Sequence, residues 1–212
     1  MERRTEIEKV KSLFGENFLG SDELAKIAPQ MGIQLPAIVP EIPYSRAQLE
    51  TQAKDSILIL GINKMANGEV LSLLSLREQF GTNPDVYEPC FYNQDWYLRE
   101  KFMQDSLENK WYLIKKTVYE DSRAILPEKL ITKYNFPTAI LCAYSFFVNW
   151  FVNNEKLWKY DFLWCSDVDH NGDRIYVGKY IDVDGLNKNG FSIHRYLSLK
   201  SSYATISMFN NE

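Results

Sequence analysis

The chain has 212 residues with 45% apolar content, enough for one domain with a sizeable core, and this argues against disorder. Its 24 basic and 28 acidic residues are spread along the sequence and leave a net charge of -4, so there is no basic footprint for nucleic acid and no polybasic patch for a membrane. Cys90, Cys142 and Cys165 are an odd number at wide spacings, which fits neither a disulfide framework nor a metal knuckle and points to a reducing, cytoplasmic setting.

The N-terminal stretch MERRTEIEKVKSLFGENF has no continuous apolar run after its charges and does not read as a signal peptide. Thr5 and Glu8 have capping-box spacing around Ile7, Val10 and Phe14, which predicts a short helix ending near Gly15. A second helix is expected after Ser21, with Leu24, Ile27, Ala28 and Met31 on one stripe. Four prolines from Pro29 to Pro43 then force an extended strap, making residues 1–43 a helical appendage to a single α+β domain spanning 1–212. Ser45 and Gln48 cap another helix, and Ser56 to Ile62 has the length and branching of a buried strand. Val70, Leu73, Leu74 and Arg77 continue at helical spacing toward Gly81. A helix is predicted over Gln94 to Leu107 and a strand over Trp111 to Lys116, before Pro127 to Pro137 interrupts. Thr138 to Asn153 is apolar nearly all round, the signature of a central core helix, and is too short to span a bilayer. From Tyr160 onward the pattern is of antiparallel strands: a hairpin to Ile181, then Phe191 to Leu199, then Tyr203 to Met208. The fold class is therefore α+β, with helical N-terminal and central parts packed on a mainly antiparallel sheet that ends in a C-terminal β-meander.

The hairpin holds most of the chemical groups. A two-residue type I′ turn at Asn171 and Gly172 would pair His170 with Asp173, Asp169 with Arg174 and Asp167 with Tyr176. That register puts Phe162, Trp164, Val168, Ile175 and Val177 on the core face and Leu163, Cys165, Asp167, Asp169 and Tyr176 on the other. Asp167, Asp169, Asn171 and Asp173 match the start of a calcium-binding loop, but the twelfth position is Gly178 where a bidentate Glu is needed, and no metal or cofactor is called for. An echo of this acidic stretch, DVDG at Asp182 to Gly185, would lie about 25 Å away by strand rise.

His170 and His194 are the only histidines, and alternation puts His194 on the polar face of its strand with Ser192, Tyr196 and Ser198. The succession AILCAYSFFVNWF then HNGDRIYVGKYI, within residues 137–181, resembles the order of helix cysteine and strand histidine in NlpC/P60-type papain-like cysteine peptidases. The resemblance implies Cys142 as nucleophile and His170 as base. It departs from the family in the apolar Ala139, Ile140 and Leu141 ahead of the thiol and in a histidine placed at a turn. Trp164-Cys165-Ser166 through Asp184-Gly185, with Arg195, resembles the terminal strands of C-type-lectin-like modules, which implies sugar binding by stacking and hydroxyl hydrogen bonds. The disulfides common in that fold have no counterpart here, and its modules lack a long helical first half.

Aromatic residues make up 14% of the chain, and Trp96, Tyr97, Trp158 and Tyr160, lying among polar neighbours, form a candidate contact surface. The leading expectation is a non-enzymatic binding or assembly module that takes an unknown protein or small-molecule ligand, with no nucleic acid and no membrane as partner. The alternative is a cysteine-dependent hydrolase using Cys142 with His170 or His194.

Overall fold

In the computed structural model, which describes residues 2–183, 186, 188–195 and 199–211 (the first four by backbone alone), the chain opens with helix α1 (Glu2–Phe14), strand β1 (Phe18–Leu19) and helix α2 (Ser21–Met31). Helix α1 begins at Glu2, so Thr5 lies within it instead of capping it. The cap of α2 is Gly20, whose N–H donates to the Glu23 carboxylate at 3.1 Å, and Ser21 is the first helical residue. Pro29 does not end this helix. It sits in the last turn, and the stop is Gly32, which takes the left-handed φ of 62°.

Helix α3 (Arg46–Gln52), strand β2 (Ser56–Leu60), helix α4 (Leu73–Phe80) and strand β3 (Trp111–Lys115) follow. Ser45 caps α3 by accepting the Gln48 N–H at 3.2 Å, as its spacing predicts. Helix α4 starts later than predicted: Ser72 is its cap, and Val70 lies outside it and is exposed. The Pro-rich strap lies over β3. Trp111 Nε1 donates to Pro40 O at 3.0 Å, and the Tyr44 hydroxyl donates to Trp111 O at 3.2 Å while accepting the Leu113 N–H at 2.9 Å.

A single turn, α5 (Pro127–Leu130), precedes helix α6 (Ala139–Asn153), in which every residue from Ala139 to Asn149 is buried. Its sequence left no polar face, so it can fold only where other elements surround it. It packs on α2 and α4 and on the hairpin strands β4 (Phe162–Val168) and β5 (Arg174–Gly178), and the Tyr144 hydroxyl donates to Leu60 O at the end of β2 at 2.9 Å. The remaining strands are β6 (Ser192–Arg195), β7 (Tyr203–Ala204) and β8 (Met208–Phe209).

The strands form two four-stranded sheets, ordered β1-β2-β3-β8 and β6-β5-β4-β7. Both are mainly antiparallel, with β1 parallel to β2 and β7 parallel to β4. One core cluster runs from Val10 in α1 to Ile206, and a second, rich in aromatic rings, joins Tyr134, Phe136, Phe162, Trp164, Tyr176 and Tyr203. Among the described residues no helix is long and apolar enough to cross a membrane.

The hairpin register differs from the predicted one. Trp164 pairs with Tyr176 and Val168 with Arg174, with a register shift between them. Leu163, Cys165, Ile175 and Val177 consequently face the main core together, Phe162, Trp164 and Tyr176 face the second cluster, and Val168 is exposed. The register is displaced by three residues at Tyr176 and by one at Arg174, and an odd displacement exchanges faces, so Leu163 and Cys165 take the main-core side expected of Phe162 and Trp164 while Ile175 and Val177 keep it. Asp184, Gly185, Tyr196, Leu197 and Ser198, part of the DVDG and His194-strand expectations, lie outside the described residues.

Candidate functional site

The segment after α4 determines where chemical groups meet. It forms no helix over Gln94 to Leu107, only a 3-10 turn at Lys101–Gln104, and its backbone N–H groups make short local turns instead. Phe91 bridges Phe191, Tyr92 N–H donates to Phe191 O at 3.0 Å, Phe191 N–H donates to Cys90 O at 2.9 Å, and Trp96 Nε1 donates to Ile193 O at 3.3 Å. Gly190 is needed at this seam, since a Cβ there would run into the backbone of Phe91 and Tyr92.

One end of the seam meets the hairpin tip. Asp169 Oδ1 accepts the N–H of Asn171 at 2.8 Å and of Asp173 at 2.9 Å, and Gly172 takes a φ of 85°. The carboxylate therefore organises a longer loop than the two-residue turn, which accounts for the altered register. The expected pair of Asp169 with Arg174 is replaced: Asp169 Oδ2 faces Arg195 at 3.3 Å, and Arg174 donates to Ser166 O at 2.7 Å. Burial pushes the Asp169 carboxyl up, but the Asp173 and Asn171 N–H groups and Arg195 outweigh it and hold the group below its ordinary range.

Glu100, which sequence reasoning missed, arrives from the seam. Its Oε2 accepts the His170 N–H at 3.0 Å and its Oε1 lies 2.6 Å from His170 Nδ1, a separation that places a proton between them. The Glu100 side chain is 8% exposed and that of His170 66%, so a buried carboxylate orients an imidazole whose outer edge meets solvent. Nothing local in the sequence marks Glu100, because its partner lies seventy positions away.

The calcium-loop residues do not converge. Asp167 Oδ2 accepts the Ala139 N–H at the start of α6 at 2.7 Å, while Asp169 turns onto its own loop and Asp173 serves it through backbone N–H. Burial raises the Asp167 pKa.

The other end of the seam opens into a cleft of about 460 Å³ between residues 82–93 and residues 186, 188 and 189. Asn83, Asp85, Tyr92, Asn93, Lys188 and Asn189 line it, giving amides, a phenol, a carboxylate and one ammonium. Glu88 Oε1 anchors the two walls by accepting from the Tyr180 hydroxyl at 3.1 Å and Asn189 Nδ2 at 3.3 Å. Leu186 in the lining is 64% exposed, and Val86, next in the chain to the lining residue Asp85, is 78% exposed.

The predicted aromatic surface is largely interior. Tyr97 is fully buried with its hydroxyl donating to Tyr92 O at 3.4 Å, and Trp158 is buried with Nε1 donating to Lys116 O at 2.9 Å. Backbone carbonyls satisfy their polar tips, so polar neighbours in sequence gave no guide to exposure. Trp96 is half-buried beneath the Arg195 guanidinium, and Tyr160 alone of the four is exposed. Trp164, the ring offered for sugar stacking, is fully buried as well.

Cys142 lies inside α6 with no exposure, its thiol facing that of Cys165. His170 sits on Glu100, and His194 stacks on Tyr176 with ring centroids 5.6 Å apart. Burial, with Cys142 alongside, pushes the Cys165 thiol well above its ordinary range, and burial pushes Cys90 up to about 11. Native-state iodoacetamide treatment read by mass spectrometry is expected to leave Cys142 and Cys165 unlabelled until denaturant is added. Rapid labelling of Cys142 in buffer would restore the peptidase-like reading.

Comparison with protein families, with characterised proteins and with solved structures yields no match.

Proposed function

We propose that the chain is a non-enzymatic binding module whose partner, a protein, docks at the cleft between residues 82–93 and residues 186, 188 and 189. The observation that carries this reading is the pairing of a polar, amide-lined floor with exposed Val86 and Leu186 on walls tied together through Glu88. Aliphatic side chains held out in water on an anchored frame lose little entropy on contact, and amides below them can receive a partner's backbone. The enclosure of Cys142, away from the Glu100 partner of His170, takes support from the hydrolase alternative.

Photo-crosslinking tests the proposal. With p-benzoylphenylalanine at Val86, irradiated cells are expected to give an adduct of discrete mass. The same probe at Val70, also exposed at 55%, is expected to give none, and Leu186→Asp is expected to abolish the Val86 adduct. Equal labelling at both positions, or none at Val86, would reject the cleft as a docking site.

A further inference from the structure

Glu100, Asp169 and His170 bring two carboxylates and an imidazole together, with one ligand atom from each within 4.8 Å of the others. We propose that these side chains bind a divalent transition-metal ion of the zinc, cobalt or manganese kind, with its remaining coordination positions open to solvent. This goes beyond the cleft and does not depend on it.

The donor set decides the class of ion. One imidazole with two carboxylates suits first-row transition metals, whereas calcium takes six to eight oxygens; of the loop's other carboxylates, Asp167 is committed to Ala139 N–H and Asp173 meets Asp169 through its backbone N–H. Bonds of about 2.0–2.2 Å to each donor require ligand atoms no more than about 4.4 Å apart. The present spread is close to this limit, and His170, the exposed member of the trio, is the one free to adjust. An ion would displace the proton between His170 Nδ1 and Glu100 Oε1, the ring backing away from its present 2.6 Å to make room.

The carboxylates are set for this in advance. Both are buried, Asp169 with its side chain 0% exposed, and each is fixed by backbone N–H groups: His170 on Glu100, Asn171 and Asp173 on Asp169. A carboxylate offers about four acceptor positions, so both keep room for an ion. Arg195 now faces Asp169 at 3.3 Å, long for a charge-assisted bond, and its side chain is 38% exposed, so it can yield. The exposed edge of His170 leaves the solvent side open, the arrangement of three protein ligands plus water.

The test uses tag-free full-length protein stripped with chelator and titrated with Co²⁺. Visible d–d absorption is expected to saturate at one ion per chain and to be displaced by Zn²⁺, with Ca²⁺ producing no change. Zn²⁺ is expected to raise the Tm. His170→Ala is expected to weaken cobalt binding at least about tenfold. The chain has two histidines, so a readout without mutation is available: substoichiometric Mn²⁺ is expected to broaden the ring resonances of His170 and leave those of His194 sharp. No cobalt band in the wild-type protein, unchanged affinity in His170→Ala, or equal broadening of both histidines would overturn the site.

Discussion

Phe147→Ala is expected to lower the free energy of unfolding by about 3–5 kcal/mol, the range for emptying a fully buried aromatic position. Phe147 has no exposed surface and its ring is the meeting point of several elements. It stacks on Phe80 of α4 at 4.3 Å with an interplanar angle of 5°, lies 5.0 Å from Phe91 in the seam, and meets Phe146 edge-on at 5.5 Å. Such ring pairs contribute about 0.5–1.5 kcal/mol beyond the area they bury, so truncation loses geometry as well as hydrophobic contact. Three segments, α4, the seam and α6 itself, frame the hole, and none can close it without disturbing another. Domains of this kind are stable by about 5–15 kcal/mol, so the variant loses about a fifth of the total or more. Urea unfolding is the measurement, with the midpoint falling and the slope unchanged. A loss below about 1 kcal/mol would mean that the site collapses freely and that α6 is not the hub described.

The second large effect concerns acid. His194 is held down to about 4 by burial against Tyr176 and Phe162, with Lys179 and Lys200 adding to the shift. An unfolded chain takes up this proton near pH 6.5, while the folded protein resists it until about 4. Below pH 6.5 the unfolded state therefore binds more protons, and stability falls as pH drops through that window. Between pH 7 and pH 5 the loss is about 1–2 kcal/mol from this ring. Asp167 works in the opposite sense, because its raised pKa lets the folded state gain protons first, and Asp169 loses stability only further into acid. The comparison of wild type with His194→Phe isolates the ring: the variant keeps an aromatic stack and is expected to shed that part of the pH dependence. Equal slopes for both proteins would show that His194 titrates as it does in water.

Much of the framework was legible because the responsible signals are local. Helix α6 declares itself through a stretch apolar nearly all round, capped by Thr138, whose side chain accepts the Leu141 N–H at 3.3 Å, and β2 through five consecutive buried residues. Gly81 and Ser45 mark helix ends by steric and hydrogen-bonding rules that need no tertiary partner. What stayed hidden depends on which distant segments meet. Trp96, Tyr97, Phe102 and Met103 have enough apolar character for a helix, yet the segment settles into short turns, with the Trp96 indole donating to β6 and the Glu100 carboxylate accepting from the hairpin tip, ties that tertiary contact supplies. The hairpin register failed for a related reason. Asn171-Gly172 favours a tight turn on its own, and the Asp169 side chain overrode it by capturing two N–H groups. The candidate metal cluster contains two residues the sequence had raised, Asp169 and His170, but in a constellation completed by Glu100, and the cleft joins loops separated by about ninety positions.

The final two strands part company within a few residues: β7 extends the hairpin sheet beside Phe162 and Leu163, and β8 closes the other sheet against Leu113 and Ile114. The three residues between them, Thr205, Ile206 and Ser207, are all buried. For the folding reaction this imposes an order of difficulty. The β4–β5 hairpin closes a short loop, whereas β3 waits for a partner nearly a hundred residues downstream, and loop closure of that length is slow. Until it occurs, β3 presents Trp111, Tyr112, Leu113 and Ile114 along an open edge, a surface on which two unfinished chains can pair with each other. Refolding yield is thus tied to protein concentration through β8, whose arrival covers that edge.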